Sequence, residues 1–136
     1  MYAVWILVMI IMLSVCSYTD IKERYVDVRI LIFSFVVELF LTPIKIYGII
    51  PVTILCIFRI IKKGIGNGDI LVFFLIGIFS GLYDTIQIMI ISFVLALIYG
   101  LFFLLFRNKD MKYCMPFMPF ILMGFVIFEL EKLVLF

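Results

Sequence analysis

Two aspartates lie where apolar runs meet short polar stretches, and they are the residues of this chain best suited to chemistry. Asp20 follows the uncharged apolar run 2–18, and Asp69 ends a glycine-rich polar stretch, 62–69, directly before another apolar run. An ionisable residue at the mouth of a membrane segment is costly, so it is a functional candidate by default. Two carboxylates that lie close together share a proton, so one can deprotonate a water while the other donates a hydrogen bond to a carbonyl. That pairing is the chemistry of aspartic proteases.

A structural role for both acids is equally open at this point. The carboxylates could pair with nearby basic side chains at the lipid headgroups, namely Lys22, Arg24, Lys62 and Lys63. A Gly-x-Gly-Asp motif by itself is more often a capped loop than a site, because short motifs have many false positives.

Composition excludes most other kinds of chemistry. The chain has 136 residues, of which 68% are hydrophobic and 15% charged, whereas a soluble domain is about half apolar and a quarter charged. We therefore expect a single membrane-embedded domain, 1–136, in a lipid bilayer, with no nucleic-acid partner. The absence of histidine removes Ser-His-Asp and Cys-His catalysis. The three cysteines are far apart and best explained as small apolar residues, so we expect neither a cofactor nor a metal.

Hydrophobic patterning predicts an all-α fold with about six transmembrane helices. The apolar segments are 2–18, 28–41, 46–61, 70–82, 85–106 and 117–130, and several are shorter than the ~20 residues of a full span. Nine of the eleven basic residues fall at the first, third and fifth connections, which predicts that loops 19–27, 62–69 and 107–115 are cytoplasmic and both termini external. Asp20 and Asp69 then share the cytoplasmic face. Glu38, inside the second segment, is expected to face protein or water rather than lipid.

Three motifs resemble those of the type IV prepilin peptidases, membrane aspartic proteases related to archaeal preflagellin peptidases. The first is Asp20 followed four residues later by Arg24. The second is Gly66-Asn67-Gly68-Asp69, similar to the family's Gly-x-Gly-Asp, and the third is Pro116-Phe117-Met118-Pro119-Phe120, similar to its Pro-Phe-Gly-Pro-Phe. The three motifs occur in the family's order and at the expected membrane ends.

The resemblance implies the peptidase domain only, a six-helix protein with Asp20 and Asp69 as the catalytic pair. Motif residues with a structural role would be Gly66, Gly68, Arg24, Pro116 and Pro119. The implied substrates are prepilin-like precursors, with a short basic leader and an apolar helix, cut on the cytoplasmic side of that helix. The cysteine-bearing domain of large bacterial members is absent from the sequence, so no methyltransferase activity is expected.

The chain also departs from the family pattern. Val26-Asp27 stands where Ile-Pro-Asn is usual, Leu71 replaces a common lysine, and Met118 replaces the glycine between the prolines. One alternative is a non-catalytic component of a transport, secretion or pilus-assembly system. A protease of the presenilin type ranks lower, because Tyr83-Asp84 follows the glycine motif instead of preceding it. The substrate, the source and the oligomeric state stay open.

Overall fold

The computed structural model describes residues 1–62, 64–107 and 115–135. Within these ranges the chain is all-α, as the hydrophobic patterning predicts, with six α-helices and no strand. The helices are α1 (Tyr2–Glu23), α2 (Val28–Leu41), α3 (Ile49–Ile61, preceded by a 3₁₀ turn at Ile46–Gly48), α4 (Asn67–Ser80), α5 (Leu82–Arg107) and α6 (Met118–Leu135). Most of the predicted cytoplasmic loop 107–115 lies outside the described residues.

Helix α1 continues past the apolar run that predicts it. The predicted segment ends at residue 18, whereas the helix ends at Glu23, because the polar residues after Tyr18 include neither glycine nor proline to stop it. Arg24 ends the helix in the left-handed conformation, with φ of 54°, and its N–H donates to the carbonyl of Asp20 at 3.0 Å. Asp20 therefore lies in the last turn of α1.

Helix α2 begins where the sequence predicts, and a side chain fixes the start. The carboxylate of Asp27 accepts a hydrogen bond from the backbone N–H of Arg29 at 3.0 Å. This is an N-cap, which satisfies one of the N–H groups that a helix start leaves unpaired. The connection between α1 and α2 is thus reduced to residues 24–27.

Two helices are long and apolar enough to cross a bilayer by length and composition, Tyr2–Glu23 and Leu82–Phe106, while α3 with its 3₁₀ turn and α4 are shorter apolar helices. Large apolar side chains are exposed on several helices; Phe33, Phe40 and Ile60 are each more than 70% exposed. Such a surface suits lipid. Together these features are consistent with a membrane protein. That all six helices cross the membrane stays a prediction.

Helix α4 forms the centre of the bundle, where eight of its residues are buried. A Cβ on Gly48, just before α3, would overlap the carbonyl of Gly77 in α4. Likewise, a Cβ on Gly77 would overlap the carbonyl of Gly48. The backbones touch because both positions lack a side chain, as is common where membrane helices cross closely. Glu38 is fully buried, so of the two surroundings predicted for it, protein or water, the structure shows protein. Its Oε1 accepts from the Ser34 hydroxyl at 2.6 Å.

A polar cluster ties three helices together at one end of the bundle. Lys132 of α6 pairs with Asp84 of α5 at 2.7 Å. The hydroxyl of Tyr2, at the start of α1, donates to Glu129 of α6 at 2.8 Å and accepts from Lys132 at 3.2 Å. The described ends of the chain therefore meet at this end, and Asp20 lies at the opposite end of α1.

Candidate active site

Asp20 is held by the first residue of α6. Its Oδ2 accepts a hydrogen bond from the backbone N–H of Met118 at 3.2 Å, across 98 residues of sequence. The first N–H groups of a helix have no partner within the helix and form the positive end of its dipole, so they favour a carboxylate. Pro116 lies just before the helix and Pro119 within its first turn, where proline costs no intrahelical hydrogen bond.

Asp69 lies in the first turn of α4, whose N-cap is Gly66. The backbone of Gly66 hydrogen-bonds to the Asp69 carboxyl group, which is the reciprocal contact of a capping box. A Cβ on Gly66 would lie 3.0 Å from Oδ2 of Asp69. The glycine therefore leaves room for the carboxyl group to fold back over the start of the helix.

Gly68 provides room for a different contact. A Cβ on Gly68 would lie 2.6 Å from Cγ2 and 2.8 Å from Cβ of Val26. Val26 belongs to the short connection that follows Asp20, so the absent side chain lets this connection rest directly on α4. The two glycines of the motif thus have separate uses, one beside the Asp69 carboxyl group and one under the α1–α2 connection.

Asp20 and Asp69, 49 positions apart in sequence, line the same two cavities. Four residues border both of them: Asp20, Arg24, Gly66 and Asp69. One cavity, of about 290 Å³, extends toward Phe93 of α5 and the segment before α6. The other, of about 370 Å³, extends toward the α1–α2 connection and Leu71. Both aspartates are half-buried.

Most of the motif residues predicted from sequence meet at these cavities. Pro116 lines the first cavity and Gly68 the second, whereas Pro119 lines neither. Among the described residues, neither aspartate forms an ion pair with Lys22 or Lys62; Lys63 lies outside the described residues.

Two features of the site were missed by reading the sequence. One is the Met118 N–H, since a backbone donor has no signature of its own. The other is Phe93 of α5, whose ring centroid lies 5.2 Å from that of the motif residue Phe117. Sixteen phenylalanines occur in the chain, so no pattern distinguishes Phe93 from those that face lipid.

The sequence of this chain is similar to one family of known proteins. The model of the type IV leader peptidase family matches residues 7–101, which are 95 of the 136 residues. The match includes both aspartates and ends before the proline motif at 116–120. No curated protein and no solved structure matches the chain. Because the family model covers more than two thirds of the sequence, the chain belongs to the type IV leader peptidase family.

Proposed function

We propose that this protein is a membrane-embedded aspartic endopeptidase that removes the short basic leader of prepilin-like precursors at the cytoplasmic membrane face. Family membership makes it a leader-peptidase-like protease with a protein substrate; the aspartic mechanism, the substrate and the membrane face are our proposal. The observation that supports it best is that Asp20 and Asp69, from helices far apart in sequence, border the same two cavities.

The mechanism needs one ionised and one protonated carboxyl group. The ionised carboxylate takes a proton from a water, and the water oxygen attacks the carbon of the scissile peptide bond. The protonated carboxyl group donates a hydrogen bond to the carbonyl oxygen, where negative charge develops. The C–N bond then breaks, and the leaving nitrogen takes up the proton removed from the water. The proposal assigns neither role to Asp20 or to Asp69 alone.

The placement in the membrane follows from charge. The basic residues cluster at the connections on the side of the two aspartates, and basic loops stay in the cytoplasm. We therefore place the chain as one multi-pass domain of the cell membrane, with the cavities open to the cytoplasm. A precursor whose apolar helix lies in the same bilayer would present its leader at this face.

Proteolysis by the purified protein is the direct test. The protein in liposomes is incubated with a prepilin-like precursor, and the products are measured by gel shift and mass spectrometry. We expect a single cut that removes the leader, with the same rate in the presence of a metal chelator. Inhibition by the chelator that zinc reverses would contradict the aspartic mechanism. Absence of cleavage, with normal cellular function when either aspartate is replaced by Ala, would favour the non-catalytic alternative.

A further inference from the structure

Arg24 ends helix α1 in a backbone conformation that suits glycine better than arginine. Its φ is 54° and its ψ is 32°, and within the ranges that the structure describes no other non-glycine residue has a positive φ. A Cβ crowds the backbone in this conformation, so glycine is the usual residue at such a helix end. The chain follows that rule after α4, where Gly81 has a φ of 99°. An arginine that keeps this conformation points to a use for its side chain outside the helix.

Arg24 borders both cavities at the aspartates, together with Asp20, Asp69 and Gly66. Among the described residues that line the first cavity, Arg24 has the only side chain with permanent hydrogen-bond donors. The others are the two acids, two glycines and apolar side chains. A guanidinium carries five N–H donors in a planar fork and no acceptor. Five donors are enough for a contact within the protein and for a ligand, and that ligand must present acceptors.

A peptide substrate presents such acceptors in its own backbone. The bond that is cut must lie outside a helix, because water has to reach its carbonyl carbon, and the carbonyl groups beside it then have no intrahelical donor. Extended peptides commonly find donors by pairing with a strand edge, but the described part of this chain contains no strand. A backbone carbonyl group that is removed from water without a donor is costly. Donors at this site must therefore come from side chains or helix ends, and Arg24 lies beside both aspartates.

We propose that the Arg24 guanidinium donates hydrogen bonds to the backbone carbonyl oxygens of the substrate on either side of the scissile bond, and so holds that bond against Asp20 and Asp69. The inference rests on the function proposed above, in which the substrate is a protein precursor. Because the acceptors belong to the backbone, this contact does not depend on which side chains flank the bond.

Arg24→Gly separates the side chain from the helix end. Glycine adopts the left-handed conformation without steric cost, so the thermal unfolding midpoint should stay the same or rise. In contrast, kcat/KM for the precursor in liposomes should fall about ten- to a hundredfold, the range for hydrogen bonds to a charged group. Arg24→Lys keeps the charge without the planar fork, so it should regain only part of the loss. Lys22→Gln is the matched control and should not change kcat/KM, because Lys22 lies in the last turn of the same helix and lines neither cavity.

Synthetic precursor segments test the acceptor without requiring cleavage. An ester replaces the peptide bond before or after the scissile bond, which makes the carbonyl oxygen a weaker hydrogen-bond acceptor. Affinity is measured in an Asp69→Asn background, with Arg or Gly at position 24. With Arg24 present, the ester should weaken binding several-fold. In Arg24→Gly it should cause little further loss, because the two changes remove the same contact.

The two readouts distinguish failure of this inference from failure of the proposed function. Wild-type protein that does not cleave the precursor would contradict the function, while an ester effect that depends on Arg24 would still support the inference.

The inference itself is wrong if Arg24→Gly cleaves as fast as the wild type, or if Lys22→Gln loses as much activity. It is wrong if Arg24→Gly unfolds at a lower temperature and loses activity, since Arg24 would then stabilise the end of α1. It is also wrong if the ester weakens binding equally with Arg or Gly at position 24. Finally, if replacing acidic side chains of the precursor by amides removes the difference between Arg24 and Arg24→Gly, the guanidinium binds a carboxylate and not the backbone.

Discussion

At the scale of single residues, Asp20 is held by a backbone N–H of the distant helix α6, whereas Asp69 is held by the backbone of Gly66, which caps its own helix. The sequence places each acid beside an apolar run, and this suffices to predict a shared depth. The contact between Asp20 and the Met118 N–H joins residues 98 positions apart. This contact depends on how α6 packs against α1, and no local sequence pattern indicates that packing.

Gly68 offers a test at this scale, because its missing side chain makes room for Val26. In Gly68→Ala the new Cβ would lie 2.8 Å from the Cβ of Val26, so the α1–α2 connection must move. We expect the rate of cleavage to fall about tenfold or more, since displacement of a catalytic group by 1 Å can lower the rate about a hundredfold. Turnover by the purified variant is the measurement.

Gly100→Ala is the control, because a Cβ at Gly100 in α5 has no neighbour within 4 Å. The double variant Gly68→Ala, Val26→Gly removes the clash and should regain part of the lost activity. Full activity in Gly68→Ala alone would show that the contact between Val26 and α4 does not position Asp20.

At the scale of helices, the sequence predicted the apolar interior of each element better than its ends. Helix α2 has the predicted bounds, because it coincides with its apolar run; Asp27, which precedes that run, caps its start. Helix α1 extends to Glu23 through residues assigned to a loop, since Lys22 and Glu23 are good helix formers and hydropathy alone cannot show this. The short apolar segments became helices, but their length leaves open whether each one crosses the bilayer.

The start of α6 provides a prediction about an element. Met118→Pro removes the N–H that Asp20 accepts, and hydrogen bonds to charged groups contribute about 1.5–3 kcal/mol. If Asp20 depends on this donor, kcat should fall about ten- to a hundredfold, at 1.36 kcal/mol for each factor of ten. The measurement is single-turnover cleavage of a precursor.

Met118→Leu is the matched variant, because it keeps both the backbone N–H and an apolar side chain at a fully buried position. It should retain most of the activity. Equal losses in Met118→Pro and Met118→Leu would mean that packing of the side chain, and not the hydrogen bond, determines the position of Asp20.

At the scale of the whole molecule, charge placement predicted that Lys132 and Asp20 lie at opposite ends of the bundle, and the membrane side of each end stays a prediction. Lys132, one of the two basic residues assigned to the outer side, pairs with Asp84 at the end of the bundle opposite Asp20. The sequence could not identify the cluster around it, because Tyr2 and Glu129 meet only when the first and last helices pack together. Composition likewise predicted an apolar surface without showing which side chains form it.

Labelling of single cysteines from each side of the membrane tests this arrangement. In a cysteine-free background, we expect Tyr25→Cys and Asn67→Cys to react with an impermeant reagent only from the cytoplasmic side. Both positions border the second cavity. A cysteine at Leu133, beside the polar cluster, should react from outside. Labelling of Tyr25→Cys and Asn67→Cys from opposite sides would contradict a shared cytoplasmic site.

The central claim is that Asp20 and Asp69 act as one catalytic unit, and the cleavage rates of Asp20→Asn, Asp69→Asn and the double variant test it most directly. The amide keeps the shape of the side chain but cannot exchange the proton, so each single variant should lose detectable cleavage of a precursor in liposomes. Members of a catalytic unit are not additive, so the double variant should be no slower than either single one. Glu38→Gln, which alters a buried carboxyl group inside α2, should keep measurable turnover. Robust cleavage by Asp20→Asn or Asp69→Asn, with the variant folded in the membrane, would contradict the account.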